Sequence, residues 1–153
     1  MKRKKLIREQ METTLRRFGP LSEVRVPHKG WIRAVRDALG MTAKQLGRRM
    51  GVAQQAAARI ERDELAGAVT IRTMQRVAEG LDCNFVYGFV PHSTLDATLR
   101  KQARTVAAKR LAQANQTMAL EAQALSKQEN RRVLSEMIDE LADTVPSHLW
   151  DEL

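Results

Sequence analysis

Apolar residues recur at helical spacing along most of the chain, which predicts a mainly α-helical protein. Residues 2–18 carry an apolar stripe on one helical face, between many basic residues, which predicts a helix that packs on the chain's own body or on a second subunit. A basic arm that contacts DNA phosphates is the alternative. Residues 31–39 and 71–79 predict two further helices, and a long helical region covers residues 94–125 and 133–141. The residues predicted to face the core from the two middle helices are Ile32, Val35, Leu39, Ile71, Met74, Val77 and Ala78.

Residues 83–90 break this helical pattern and predict a short β-strand. Phe85, Val86, Tyr87 and Phe89 are aromatic or β-branched residues, the types that favour strands. One strand alone leaves its backbone groups unpaired, so it must pair with residues 24–26 or with its own copy in a dimer. The alternative is a buried apolar linker without strand pairing.

Residues 41–60 predict two short helices joined at a tight turn. Thr42 followed by Gln45 has the spacing of a capping box at the start of the first helix. Gly51 is suited to the turn because it has no Cβ, and the second helix covers about residues 54–63 with Ile60 inward. This spacing is that of a helix-turn-helix, whose second helix enters the DNA major groove.

The outward face of the second helix has chemistry that suits base reading. Two amides, a small apolar surface and a guanidinium are the groups that recognise base edges. Any helical hairpin with a glycine turn is the alternative interpretation. We predict DNA contacts from Thr42, Lys44, Gln54, Gln55, Ala58 and Arg59.

This stretch resembles the repressor-type helix-turn-helix of the Cro and phage-repressor superfamily. The residues that carry the resemblance are Thr42, Leu46, Gly51, Val52, Ile60 and Glu61. The chain departs from that pattern at Gly47, Ala53 and Ala57, where the family has Ala, a capping Ser and a larger aliphatic residue. These departures predict a lightly packed motif.

Charge is distributed unevenly over the 153 residues, whose net charge is +8. Residues 1–30 carry +6, residues 31–90 carry +3, residues 91–132 carry +5 and residues 133–153 carry −6. A basic body with an acidic tail favours a nucleic-acid partner, with ordinary solubilising charge as the alternative. The length accommodates one compact domain with extensions.

Composition and motifs also predict what the protein lacks. Cys83 is the only cysteine, so no intramolecular disulfide forms, and no stretch approaches the roughly 18 apolar residues of a membrane span. A cytoplasmic location is therefore expected. His28, His92 and His148 are scattered and no phosphate loop is present, so we expect neither an enzyme, a metal site nor a cofactor.

A second motif lies in the sequence TMALEA at residues 117–122, where Thr117 and Glu121 stand four residues apart on one helical face. By itself this spacing is common and favours ordinary surface residues. Together with PHKGWIRAVRDALGMTAKQLGRRMGV, GLDCNFVYGFVP and TMALEAQAL, however, it resembles the family called mobile mystery protein A. The resemblance covers most of the chain, chiefly residues 28–125.

The resemblance implies an antitoxin encoded beside a Fic-domain toxin that transfers AMP from ATP to hydroxyl groups. Inhibitory helices of Fic enzymes carry Ser or Thr, then Glu four residues later, then Gly or Asn. That glutamate binds an arginine of the Fic active site and takes the space of the ATP γ-phosphate. Thr117 and Glu121 match the motif, whereas Ala122 departs from its last position.

The sequence therefore predicts a repressor-type domain of four or five helices, one short strand and a C-terminal helical extension. The predicted division is residues 1–30 as a basic helix and linker, 31–82 as the DNA-binding domain, 83–91 as a dimer-pairing strand and 92–153 as the helical region. The expected function is a dimeric antitoxin that binds a double-stranded operator and inhibits a Fic toxin. A plain dimeric repressor, whose C-terminal helices serve only oligomerisation, is the alternative. A third hypothesis is an interaction protein whose helix-turn-helix has lost DNA binding.

Overall fold

A computed structural model of the chain describes residues 2–120 and 125–151. The chain divides into two compact units. We name them by their place in the sequence: the central unit is residues 20–88, and the outer unit is residues 1–19 and 89–153. Short 3₁₀ helices lie at Gly19–Glu23 and Ser147–Trp150. The α-helices are α1 (Lys2–Arg16), α2 (Trp31–Ala38), α3 (Ala43–Met50), α4 (Gln54–Leu65), α5 (Ile71–Gly80), α6 (Leu95–Leu120) and α7 (Lys127–Thr144).

The core of the central unit lies among α2, α3 and α5. Ile32, Leu46, Val77 and Leu81 are buried there, as the helical spacing of the sequence predicts for the first three. Leu39 and Ile71 were predicted to face this core but are 56% and 49% exposed, because both lie at helix ends: Leu39 is the C-cap of α2 and Ile71 is the first residue of α5. The partly buried residues that surround the core are Val35, Met41, Met50, Ile60 and Met74.

Helix ends in the central unit are tied to one another by side chains. Arg49 of α3 donates from Nε to the carbonyl of Gly80 at 2.5 Å, and Arg76 of α5 donates to the carbonyl of Met50 at 3.3 Å. Each arginine thus satisfies a carbonyl at the C-terminus of the other helix, where the helix dipole favours a cation. This exchange holds α3 and α5 together at the edge of the core.

Gly47 is packed tightly, contrary to the prediction of a lightly packed motif. It is buried on the inner face of α3, and a Cβ at this position would lie 2.8 Å from the carbonyl oxygen of Val52. Because that oxygen belongs to the backbone of the turn, an alanine could be accepted only if the turn moved away. The missing Cβ lets the turn approach α3 closely, and Ala57 of α4 is also buried.

The outer unit is an antiparallel pair of long helices with α1 against it. Its buried residues, among those that the structure describes, are all apolar: Leu99, Ala103, Val106 and Ala107 of α6, with Leu141, Ala142 and Leu149. The N-terminal helix α1 is fastened by an ion pair from Arg8 to Asp96 at 2.9 Å and by Lys4, whose Nζ donates to the carbonyl of Val145 at 2.6 Å. The predicted helix over residues 2–18 is therefore present, and it packs on the chain's own body.

The predicted strand is absent from the part of the chain that the structure describes. Residues 83–90 are extended, but no ladder joins them to residues 24–26, so that pairing prediction is wrong for the single chain. A β-strand needs a hydrogen-bonded neighbour, and the backbone of residues 84–88 makes no hydrogen bond with any other described residue. Pairing of this segment with its copy in a dimer stays a prediction.

Candidate nucleic-acid interface

The helix-turn-helix predicted over residues 41–60 is formed by α3 and α4. Thr42 accepts a hydrogen bond from the amide of Gln45 at 3.2 Å, and the Gln45 side chain accepts from the amide of Thr42 at 2.7 Å. This capping box begins α3, as predicted. Gly51 ends the helix with a φ of +70°, a left-handed conformation that a residue with a Cβ resists.

The outward face of α4 presents the side chains predicted to read bases. Gln54, Gln55 and Arg59 are exposed, and Ala58 is half-buried between them and the core. Ala53 precedes α4 without a side-chain cap, and the amides of Gln54 and Gln55 make no hydrogen bond within the described residues, so both keep their capacity to donate. A helix N-terminus with free amides and exposed amide side chains can bind phosphate and base edges together.

Arg59 is held only weakly by the protein itself. Its side chain is 76% exposed, and its Nε lies 3.6 Å from a carboxylate oxygen of Asp63 one turn further along α4. An exposed pair at this distance contributes little stability and gives way readily to a better partner. The guanidinium is therefore free to form two parallel hydrogen bonds with a guanine edge.

Thr42 and Lys44, at the start of α3, differ in what they can offer. The Thr42 hydroxyl already accepts from the Gln45 amide, so it retains only its donor for a phosphate oxygen. Lys44 is exposed, and no ion pair joins it to an acid among the described residues. Its ammonium is suited to a phosphate contact, which positions a protein on DNA without reading sequence.

Arg48 is a further exposed cation that the sequence interpretation did not single out. It lines an open depression of about 410 Å³ together with Gly40, Met41 and Gln45, next to the start of α3. The signal that identifies it is its position one turn after Lys44, which places both cations on neighbouring parts of α3. Together they extend the basic surface that can track a phosphate backbone.

The position of α4 depends on a buried ion pair that joins it to α2. Arg36 donates from Nε to Glu61 Oε1 at 2.5 Å and from Nη2 to Oε2 at 3.1 Å, and both side chains are 11% exposed. Arg36 also donates to the carbonyl of Met41 at 2.8 Å. The hydrogen bond to Glu61 is the main cause that raises the pKa of Arg36. Four residues after Ile32, Arg36 has the spacing of an inward residue, a signal that could have revealed the pair.

Glu64, in the last turn of α4, supplies the cap that α2 lacks. Its carboxylate accepts from the amide of Trp31 at 2.7 Å and from that of Ile32 at 3.0 Å. Gly30 has no side chain to perform this role, and a Cβ there would lie 2.7 Å from the Glu64 carboxylate. The negative charge lies at the positive end of the α2 dipole, so Glu61 and Glu64 both fasten α4 to α2.

Of the two residues of the second motif, Thr117 lies within the described residues and Glu121 lies outside them. Thr117 is exposed near the end of α6, and its hydroxyl donates to the carbonyl of Gln113 at 3.2 Å. Glu121 and Ala122 lie outside the described residues. Leu120, the last described residue of α6, is 85% exposed.

Residues 32–87 match the family described as helix-turn-helix. Comparison with curated proteins and with solved structures gives no match. The family match and the geometry of α3 and α4 together define this part of the chain as a helix-turn-helix domain. Within the described ranges, no cluster of three or more potential metal ligands occurs, and no helix is long and apolar enough to span a membrane.

Proposed function

We propose that this protein is a DNA-binding transcription regulator rather than an enzyme, and that α4 reads its operator. The observation that carries the proposal is the exposed row of Gln54, Gln55 and Arg59 on the second helix of a matched helix-turn-helix. Lys44 and Arg48 are exposed on the preceding helix, where they can contact phosphates. A dimer would place two such helices in successive major grooves about 34 Å apart on an inverted repeat.

Fluorescence anisotropy with DNA from upstream of the protein's own gene tests this proposal. Arg59→Ala should weaken specific binding by about 1–3 kcal/mol and relax discrimination at one base pair, because a bidentate contact is lost. Arg104→Ala removes the same charge from an exposed site on α6 and is the matched control, with a much smaller expected effect. Equal affinity of the unmutated protein for operator and scrambled DNA at low salt would overturn the proposal.

We further propose that the regulator is an antitoxin that inhibits a Fic-type AMP transferase. The resemblance to the mobile mystery protein A family supports this, and the exposed Thr117 and Leu120 leave the end of α6 available to a partner. A glutamate at position 121 is an anion that can take a guanidinium in a bidentate, charge-assisted bond. It would compete with the γ-phosphate of ATP for that guanidinium.

The test is AMP transfer from labelled ATP by the co-purified pair of the protein and the Fic enzyme encoded beside it. Glu121→Gly should restore transfer while the complex stays assembled, because only the competing anion is removed. Glu140→Gly, at another exposed acid of the same unit, is the control and should leave inhibition intact. Equal, full inhibition in the unmutated pair and in the Glu121→Gly pair would overturn the inhibitory role of this helix and leave Thr117 and Glu121 as ordinary helix-surface residues.

A further inference from the structure

An open apolar groove crosses the central unit on the side formed by α2, α5, linker residues 21–26 and the extended segment at residues 83–86. Its volume is about 500 Å³. Val24 comes from the linker, Trp31 from α2, Met74 from α5, and Phe85 and Val86 from the extended segment. Several of these side chains are only half covered: Val24 is 49% exposed, Trp31 is 41% exposed and Val86 is 67% exposed.

The extended segment beside the groove has unused backbone capacity. Within the described part of the chain, the amides and carbonyls of residues 84–88 make no hydrogen bond. The rings of Phe85 and Tyr87 are stacked with centroids 5.9 Å apart, so neighbouring side chains already order one another. A row of unpaired backbone groups is a template for a second strand, which a small apolar molecule cannot satisfy.

Charge selects what can cover this surface. The groove lining has no acidic or basic side chain, whereas the whole chain carries a net charge of +8. Two copies of a strongly basic chain repel one another across most of their surfaces, but they can approach across an uncharged face. The groove and the apolar extended segment belong to the same unit. Two copies related by a two-fold axis can therefore present the same patch to each other, as an isologous interface requires.

We propose that a second copy of this chain occupies the groove, with its residues 84–88 paired to the same segment and its Val86 in the apolar lining. The proposal deepens the operator-binding function above, since it names the surface that creates the dimer. It explains why half-exposed apolar residues collect here, since a contiguous apolar patch on a protein surface marks an interaction site.

The first measurement is mass by light scattering over a range of protein concentrations. The unmutated chain should approach twice 17.3 kDa, and Val86→Glu should raise the dimer dissociation constant at least about tenfold, because a carboxylate enters an apolar contact. Leu65→Glu is the matched control at a site that is 61% exposed in the same unit but outside the groove, and it should dimerise normally. Circular dichroism establishes that both variants keep their helices.

Cys83 provides a second measurement that reports on the groove itself. It is the only cysteine, it is exposed in the single chain, and it lines the groove. Its reaction with a maleimide should slow as the unmutated protein dimerises, and it should stay fast in Val86→Glu.

Either of two outcomes overturns the proposal. One is an unmutated chain that stays monomeric at high concentration, which leaves the groove to another occupant. The other is a dimer that survives Val86→Glu with Cys83 still reactive. A groove-dependent dimer that fails to bind operator DNA would instead overturn only the DNA-binding proposal, so the two failures are distinguishable.

Discussion

The two units of this protein are stabilised in different ways. The central unit has helices of 8, 8, 12 and 10 residues, tied together by Arg36 with Glu61, by Glu64 at the start of α2 and by two arginine-to-carbonyl bonds. The outer unit has helices of 26 and 18 residues, and its described buried residues are all apolar. The central unit buries an ion pair within its core, whereas the outer unit buries apolar side chains and keeps its ion pairs, such as Arg8 with Asp96, partly exposed.

The difference follows from helix length. Every helix leaves four amides and four carbonyls unsatisfied at its ends, so an eight-residue helix has as many unpaired groups as it has residues. Short helices therefore need partners for their ends, and in the central unit these partners come from neighbouring helices. In α6 the ends are a small fraction of the helix, so apolar burial can dominate.

Packing in the outer unit depends on small residues. Ala103 and Ala107 of α6 and Ala142 of α7 are all buried, and their short side chains let the helix backbones approach closely. Val106 and Leu149 fill the remaining space and are completely buried. The chain thus uses alanine for close approach in the outer unit and Gly47 for the same purpose in the central unit.

The two tryptophans allow this contrast to be tested one unit at a time. Trp31 lies in the central unit and Trp150 in the outer unit, and they are the only tryptophans in the chain. In a Trp150→Phe background, fluorescence reports unfolding of the central unit, and in a Trp31→Phe background it reports unfolding of the outer unit. Stability changes can therefore be assigned to the unit in which they arise.

The largest effect is expected at the buried ion pair. Glu61→Ala should lower the free energy of unfolding of the central unit by about 3 kcal/mol, since it leaves the guanidinium of Arg36 partly buried without its main partner. The measurement is urea denaturation followed by Trp31 fluorescence. The double variant Arg36→Met with Glu61→Met should lose less than the single variant. A larger loss in the double variant would contradict the view that an uncompensated charge is the cause.

A smaller effect is expected in the outer unit from removal of apolar volume. Leu149→Ala should lower the free energy of unfolding by about 2 kcal/mol, at the low end for such substitutions, because the C-terminal turn can move inward to fill part of the cavity. The change should appear in Trp150 fluorescence and not in that of Trp31. Leu120→Ala, at a residue that is 85% exposed, should have almost no effect. Equal losses in both variants would contradict the packing account.

The smallest effect concerns the N-terminus of α7, where polar capping also operates in the outer unit. Glu129 accepts from the amide of Ser126 at 2.8 Å, and hydrogen bonds from Ser126 lower the pKa of its carboxyl. Because the folded-state pKa is lowered, this stabilisation is complete above the unfolded-state pKa and is lost as pH falls through the folded-state pKa. Hydrogen exchange at the first turn of α7 should therefore accelerate on acidification. Glu129→Gln should remove that pH dependence. If hydrogen exchange accelerated on acidification as much in Glu129→Gln as in the unmutated chain, the role of the Glu129 carboxylate would be contradicted.

The sequence alone determined the local structure of the helix-turn-helix. Thr42 and Gln45 specify the capping box, Gly51 specifies the turn, and the spacing of Ile32, Leu46 and Val77 identifies residues that the core buries. These features depend on neighbours within a few residues or on helical period, so a one-dimensional pattern contains them. The exposed Gln54, Gln55 and Arg59 follow from the same period.

Only the tertiary structure decided how these pieces are held. Glu61 and Glu64 reach Arg36 and the start of α2 across 25 and more than 30 positions of sequence, and no local pattern records such a distance. The sequence pattern predicts loose packing at Gly47. In the structure, however, a Cβ at this position would lie 2.8 Å from the carbonyl oxygen of Val52, so the turn packs closely against it. Residues 83–90 have strand chemistry but no strand, since β-structure requires pairing with a neighbouring segment and residues 24–26 do not form a ladder with them in the single chain.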